Sequence, residues 1–401
     1  MPDGPRALKP NEWTQLDALV SAVFRPQMFH DYPQLFNERN RHNLRIVAED
    51  GKVVTHVGMI ERPASLAGCR IDVACIGAVA TYPDYRGKGF ASQAFQDCCD
   101  KAAADGIDIM LISGGRGLYT RVGCRQVRQD WDVAIAPEGA SALGSAFGQS
   151  RYRLLPLGSE RIDAARRLYE AEPVRFLRSL DDWQMAWSCG VVMNTASDFW
   201  GIAPADCPDE LAAYLIVHQP HKLRRRQPDD PLVARIVEFA GDRAVLLAAI
   251  PLLLEHYGVG RVALHVQGHD VALRALLVDP PGRQSRWPGI VATPAGTSGT
   301  LRVISFVQLM ERCRPLLAER IGWTAYDLRF AADERPGSAL GGFTISLGSE
   351  LLRIPDLATL DQWLFGSPRP REAEPAGSAQ VARLLERALP LPSLWYGISY
   401  V

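Results

Sequence analysis

The chain lacks any apolar run of about 18 residues, the length that lets a helix cross a bilayer. Its first residues, Met1-Pro2-Asp3-Gly4-Pro5-Arg6, lack the apolar core of a secretion signal. Net charge is nearly absent as well, −1 over 401 residues. Such a chain has no overall field to draw nucleic acid or an anionic membrane. None of its eight cysteines is spaced as C-x-x-C, which removes zinc ribbons and dithiol redox motifs. Cys98-Cys99 falls on a helix, where neighbouring side chains diverge, so buried free thiols are expected. These absences predict a cytoplasmic protein that uses no metal and partners neither nucleic acid nor membrane.

What is present is a globular composition, 47% hydrophobic and 22% charged, over a length that calls for two or three domains. The stretch from Ile76 to Val122 organises the rest. Ile76 to Tyr82 reads as a strand, Arg86-Gly87-Lys88-Gly89 as a turn, and Phe90-Ala91-Ser92-Gln93-Ala94-Phe95 as the start of a helix. Glycines at 87 and 89 let a ligand approach the backbone, because no Cβ stands in the way. The first amides of the following helix lack internal partners, and with the helix dipole they favour an anion such as a pyrophosphate. Arg86 and Lys88 add positive charge. A glycine-rich strand-to-helix turn is also, in many α/β proteins, a plain tight connection. The Walker pattern is excluded because Lys88 precedes Gly89 rather than Ser or Thr, and the dinucleotide fingerprint because only Ala91 and Ser92 stand where a third glycine belongs.

Arg86, Gly89 and Ala91 together resemble motif A of the GCN5-related N-acetyltransferases (GNAT): Arg or Gln, two residues, Gly, one residue, Gly or Ala. In that superfamily the loop surrounds the pyrophosphate of acetyl-CoA. The flanks agree. Asn11–Phe24 has helical spacing, Leu44–Glu49 and Lys52–Glu61 form a hairpin about Asp50-Gly51, Arg70–Tyr82 continues the sheet, and Ile107–Ile112 is a further strand. The aromatic stretch Phe24 to Phe36 is either the wall of a substrate pocket or a clasp over the core.

Ser113 to Gly123 is too rich in glycine for a helix interior and predicts a bend with a short helix bearing Tyr119. Gln126–Ile135 reads as a strand and Ala136–Gly139 as the opening of a linker. A second α/β unit follows, with helices at 160–172, 181–188 and 242–257 and strands at 211–218, 233–239 and 260–267. Its comparable turn, Ala240-Gly241-Asp242, has one glycine and an acid, so no cofactor is expected there. Lys222 to Arg226 is read as a solvated basic loop beside Asp229 and Asp230. Pro280 to Gly299 reads as a linker, followed by helix 306–320, strands 325–330, 342–347 and 351–354, helix 357–365, a loop from Ser367, and helix 380–389. The last eight residues, Leu394 to Val401, are apolar and aromatic to the end, which predicts a buried terminus.

A motif-A unit, an α/β repeat without the motif and a unit ending in an aromatic tail resemble the enhanced-intracellular-survival (Eis) group of acetyltransferases. The resemblance implies α/β architecture with mixed sheets: a catalytic GNAT domain at 1–148, a degenerate, cofactor-free GNAT-like domain at 149–285, and a sterol-carrier-protein-like domain at 286–401 whose tail reaches the active site. It implies acetyl-CoA as co-substrate, held by Val79, Ala80, Thr81, Gly87, Lys88, Gly89, Phe90, Ala91, Ser92, Gly114 and Gly115. Gly117-Leu118-Tyr119-Thr120-Arg121-Val122-Gly123 matches the group's Gly-x-Tyr-x-Arg-x-Gly, which implies Tyr119 as general acid, where the residues alone would equally allow a packing tyrosine. The group's base is the terminal carboxylate, here that of Val401. The acceptor would be a small-molecule primary amine or a lysine side chain, and a homo-oligomer, often a hexamer, is implied. Members that acetylate polycationic aminoglycosides have an acid beside the terminus; here Ser399 and Tyr400 are neutral, so the amine is left open. The rival reading is a non-catalytic acyl-CoA-binding protein whose last domain is a lipid or protein interaction module.

Overall fold

The computed structural model describes residues 1–223, 230–277, 285–297, 299–333, 342–367 and 376–401. The fold is α/β, with mixed sheets flanked by helices. The first sheet runs in the order Pro2–Ala7, Leu44–Glu49, Lys52–Leu66, Cys69–Thr81, Ile109–Ile112 and Thr300–Val303, with Val174–Phe176 paired to one end of Lys52–Leu66. The predicted hairpin is present, and its turn residues Asp50 and Gly51 both have positive φ, 51° and 77°. That is the geometry of the two-residue turn whose twist suits paired strands. Cys69–Thr81 and Ile109–Ile112 are parallel, and the helix Phe90–Ala104 makes the crossover between them.

The second sheet has the order Ile290–Gly296, Arg128–Ile135, Val262–Val266, Ala234–Gly241, Ala213–His218, Thr195–Pro204 and Tyr152–Pro156. It repeats the central parallel pair, here Ala234–Gly241 with Val262–Val266, crossed over by the helices Arg243–Ala248 and Ile250–Tyr257. The third sheet is antiparallel: Leu328–Ala332, Phe343–Leu347, Glu350–Ile354 and Ala376–Gly377.

Strands cross between these units. Arg128–Ile135 belongs to the second sheet, while Thr300–Val303, from the C-terminal third, closes the edge of the first. Leu301, Phe306 and Leu309 accordingly share one apolar core with Leu16, Leu44 and Ile109.

Two segments read as linkers are ordered elements. Residues 137–147 form a helix, begun by Pro137 at a first-turn position, where a missing N–H costs nothing, and ended by Gly148 at φ +73°. A Cβ on Gly139 would stand 2.7 Å from Ile290 Cγ1, so its glycine is a packing residue rather than a linker residue. Ile290–Gly296 is an edge strand against Arg128–Ile135, a position that tolerates Pro294. The expected helix at 306–320 is two helices, Phe306–Arg312 and Arg314–Ile321, broken ahead of Pro315. The arginine run 224–226, Asp229, Pro280 to Gly282 and the start of the loop after Ser367 lie outside the described residues.

Candidate active site

The motif strand bulges where the site begins. Across Lys52–Leu66 and Cys69–Thr81, His56 pairs with Ala80 but Gly58 pairs with Gly77, so an extra residue is inserted at Ala78 and Val79. Ala78 takes φ +49°, unusual for a residue with a Cβ. His56 fixes the bulge by donating from Nδ1 to the Ala78 carbonyl at 2.9 Å. Burial holds that imidazole neutral, with its pKa pushed down to about 4. On the other side, register with Ile109–Ile112 ends at Ile76↔Ile112. The two parallel strands part beyond that point and leave a wedge. Bulges beside active sites typically re-aim a strand in this way.

The loop after the bulge has the expected backbone. Gly87 and Gly89 have φ +80° and +82°, and no atom crowds a Cβ position at Gly87. Gly89 caps the helix Phe90–Ala104 without any side chain on its first amides. A cavity of about 280 Å³ opens there, lined by Thr81, Gly87, Gly89, Phe90, Ala91 and Ser92, with Arg86 and Arg121 also facing it. Free amides, glycine backbone and two guanidiniums fit a pyrophosphate.

A second cavity, of about 350 Å³, lies at the wedge and is lined by Gly77, Ala78, Val79, Gly114, Tyr119 and Val401. Its far wall is Phe24, Arg25, Met28 and Tyr32 from the aromatic loop, with Asn194 and Tyr400. Phe24, Met28 and Tyr32 of this loop wall the cavity, while Phe29 stacks on Phe36 at 4.4 Å and packs against Trp13. Three sequence-named residues stand apart. Ala80 is buried and lines neither cavity, and Gly115 is exposed and lines neither. The Lys88 ammonium is paired with Glu49 at 2.9 Å and sits over the Tyr85 ring.

Tyr119, on the short helix Gly117–Thr120, packs its ring on Phe95 of the motif helix with centroids 5.4 Å apart. Burial pushes its pKa up to about 12, against a smaller opposing effect of Arg116. The phenol therefore keeps its proton throughout the physiological range.

Val401 arrives from the other end of the chain because the tail is tied to both sheets. The Trp395 indole donates to the Val237 carbonyl at 2.6 Å and stacks on His265 at 3.8 Å. Register between the second sheet's parallel strands ends at Ile236↔Leu264, so the tail occupies the wedge of the second unit. Next, Glu238 accepts from Ile398 N at 2.9 Å and from both Nη atoms of Arg178 at 2.8 and 2.7 Å. Arg178 also donates to Ser399 Oγ at 3.0 Å. This ion pair is nearly fully buried, and its further hydrogen bonds offset the desolvation such a pair suffers. Gly397 has φ +50°, and a Cβ there would lie 1.7 Å from Glu238 Oε2, so only glycine passes. Tyr396 stacks on Phe176 of the first sheet. The Tyr400 hydroxyl accepts from Asn194 Nδ2 at 2.9 Å, and the Val401 carboxylate ends against Gly77.

Gly77, Arg116 and Asn194 are cavity residues that the sequence did not single out. Only Asn194 left a trace, a Met193-Asn194 turn with φ of 47° and 71°. Asparagine suits such a turn, but nothing local says where the turn docks.

Residues 5–127 match the family model of the acetyltransferase (GNAT) domain. This part of the chain is a GNAT acetyltransferase domain. No curated protein matches it by sequence. Solved structures share the fold over nearly the whole length. A GCN5-related N-acetyltransferase from Anabaena variabilis is 14% identical with a TM-score of 0.63, over 98% of this chain and 97% of that one. A probable N-acyltransferase from Enterococcus faecalis is 15% identical with a TM-score of 0.64, over 97% and 98%. Eis1 from Mycobacterium abscessus is 13% identical with a TM-score of 0.57, over 98% and 97%. GNAT domains typically bind acetyl-CoA, which agrees with the anion-binding character of the loop cavity. Among the described residues no helix is long and apolar enough to cross a membrane, and no cluster of three or more His, Cys, Asp or Glu could hold a metal ion.

Proposed function

We propose that the protein moves the acetyl group of acetyl-CoA to a primary amine by direct attack, with Tyr119 as general acid and the Val401 carboxylate as base. One observation carries this reading: a buried phenol and the chain's own terminal carboxylate line the same cavity, at the bulged end of the motif strand. The pyrophosphate of the co-substrate fits the amides of Phe90, Ala91 and Ser92 and the backbone of Gly87 to Gly89. The backbone of Val79, on the bulge, faces the cavity where a thioester carbonyl would sit, and its N–H would stabilise the developing oxyanion.

The amine nitrogen bonds to the acyl carbon and the carbon–sulfur bond breaks. The proton lost by nitrogen goes to the Val401 carboxylate, directly or through water, and the departing sulfur takes a proton from the Tyr119 hydroxyl. Burial holds that phenol near 12, above a thiol near 8.5, so the hydroxyl first hydrogen-bonds the sulfur as charge develops there and gives up its proton only as the carbon–sulfur bond breaks. The net products are the acetamide and CoA.

The same reading keeps the division into a catalytic unit at 1–148, a unit without cofactor at 149–285 and a sterol-carrier-like unit at 286–401, with exchanged strands binding them together. It places the chain nearest the Eis-like group and the acceptor among small-molecule amines or lysine side chains. The test is release of free CoA while polyamines, aminoglycosides and lysine peptides are offered with acetyl-CoA. Acetyl-CoA binding without CoA release from any amine would replace this reading with a non-catalytic acyl-CoA-binding protein.

A further inference from the structure

The walls of the acceptor cavity carry an uneven set of charges. Among the described residues, its only ionic side chains are two cations, Arg25 and Arg116. Among the described residues no aspartate or glutamate lines it, and the one anion there is the Val401 carboxylate, which the transfer step occupies. Asp31 is the nearest acid on the aromatic loop. It is buried, binds Arg25 Nη2 at 2.8 Å, and lines the small neighbouring cavity instead. Arg116 is exposed and forms no ion pair among the described residues. Besides Ser113 and Asn194, the far wall is apolar or aromatic, from Phe24, Met28, Tyr32 and Tyr400. Phe24 is 40% exposed at this wall, a large apolar surface with nothing packed over it. The polar group of Asn194 is spent on the Tyr32 and Tyr400 hydroxyls.

We propose that the acceptor is a single amine on an apolar or aromatic body that also bears an anionic group, a carboxylate or phosphate, and not a polycation. The assignment rests on the acetyl-transfer reading above and adds to it the class of acceptor. The reactive amine needs one anion beside it, and Val401 supplies that. A second ammonium would lose water against the Arg116 guanidinium and an Arg25 already paired with Asp31 and find no carboxylate, whereas a carboxylate in the same place finds guanidinium donors suited to it. The aromatic wall takes the body of the molecule. Arg25 and Arg116 are then specificity-determining residues, and Asp31 holds Arg25 towards the cavity.

A matched series tests this with the full-length protein: 4-(aminomethyl)benzoate, benzylamine and 4-(aminomethyl)benzylamine, which share one ring and one reactive amine and differ only in the distal group. The expected order of kcat/KM is carboxylate, then neutral, then diamine, with at least tenfold between first and last. Added salt should narrow the gap, since it screens both effects. The double variant Arg25→Gln, Arg116→Gln should level the series through the acceptor KM, with the KM for acetyl-CoA unchanged. A diamine equal to or better than the carboxylate overturns the proposal while leaving acetyl transfer intact. A rise in the acetyl-CoA KM alone overturns the arginines' role and assigns them to the co-substrate. If no amine, including spermidine and lysine peptides, releases CoA, the acetyl-transfer reading fails, and the acceptor class falls with it.

Discussion

The carboxylate of Val401 rests directly on Gly77: a Cβ added to Gly77 would stand 2.1 Å from the Val401 carboxyl carbon and 2.2 Å from its oxygen. Residues 324 positions apart in sequence thus form the floor of one cavity. Gly77 has no positive φ, so alanine is allowed there by its own backbone, and the clash with the terminus is the whole cost. Gly77→Ala and a short C-terminal tag should therefore have the same effect by different routes. Each is expected to lower kcat about tenfold or more, the scale of a displaced general base. Acetyl-CoA affinity, measured by calorimetry, should stay nearly intact. Full kcat in a tagged protein of normal stability would assign the tail a purely structural role.

Gly89→Glu should abolish acetyl-CoA binding in a protein that still folds. The nearest atom to a Cβ at Gly89 is Gln93 Nε2 at 3.9 Å, so the side chain has room. The left-handed backbone at +82° costs roughly 1–2 kcal/mol for a non-glycine residue, too little to unfold a domain. The added carboxylate would instead sit among the amides proposed to hold pyrophosphate and repel it. Unchanged affinity in a folded variant would remove this loop from the co-substrate site.

Tyr119→Phe should lower kcat more than it raises the KM for acetyl-CoA. The pH profile follows from the direction of the shift. A phenol at its ordinary value near 10 would lose its proton as the pH rose through 10, but burial moves that loss to about 12. In the wild type kcat/KM should climb as the acceptor amine deprotonates, with no descending limb below about pH 10. A bell-shaped profile falling near pH 9 would mean that another group donates the proton.

Equilibrium dialysis should find one acetyl-CoA per chain. In the second unit Asp242 caps the crossover helix, accepting from the amides of Ala244 and Val245 at 2.8 and 3.0 Å, which are the amides a phosphate would need. Trp395 takes the Val237 carbonyl in the wedge of that sheet. A stoichiometry near two would contradict the reading of this unit as cofactor-free.

Much of the motif half of the site was legible in the chain itself. Asp50-Gly51, Gly87, Gly89 and Tyr119 were readable because a turn's φ angles, the lack of a Cβ and a short fixed spacing are properties of a few consecutive residues. The apolar run Leu394 to Val401 likewise announced a buried end before any partner was known. Tertiary structure alone decided the rest. It sent Arg128–Ile135 to the second sheet and the short strand Thr300–Val303 to the edge of the first, and it made a strand of the three residues Val174–Phe176. It brought Asn194 from the second unit to the wall of the first unit's cavity, and it buried Arg178 against Glu238, where they hold the tail. Short strands pair with whatever edge the folded layers present. A buried ion pair is tolerable only once its partners have been collected from elements 60 to 221 residues apart. Neither requirement leaves a mark in the neighbouring sequence, because the free energy that satisfies it comes from contacts that exist only after the chain has closed on itself.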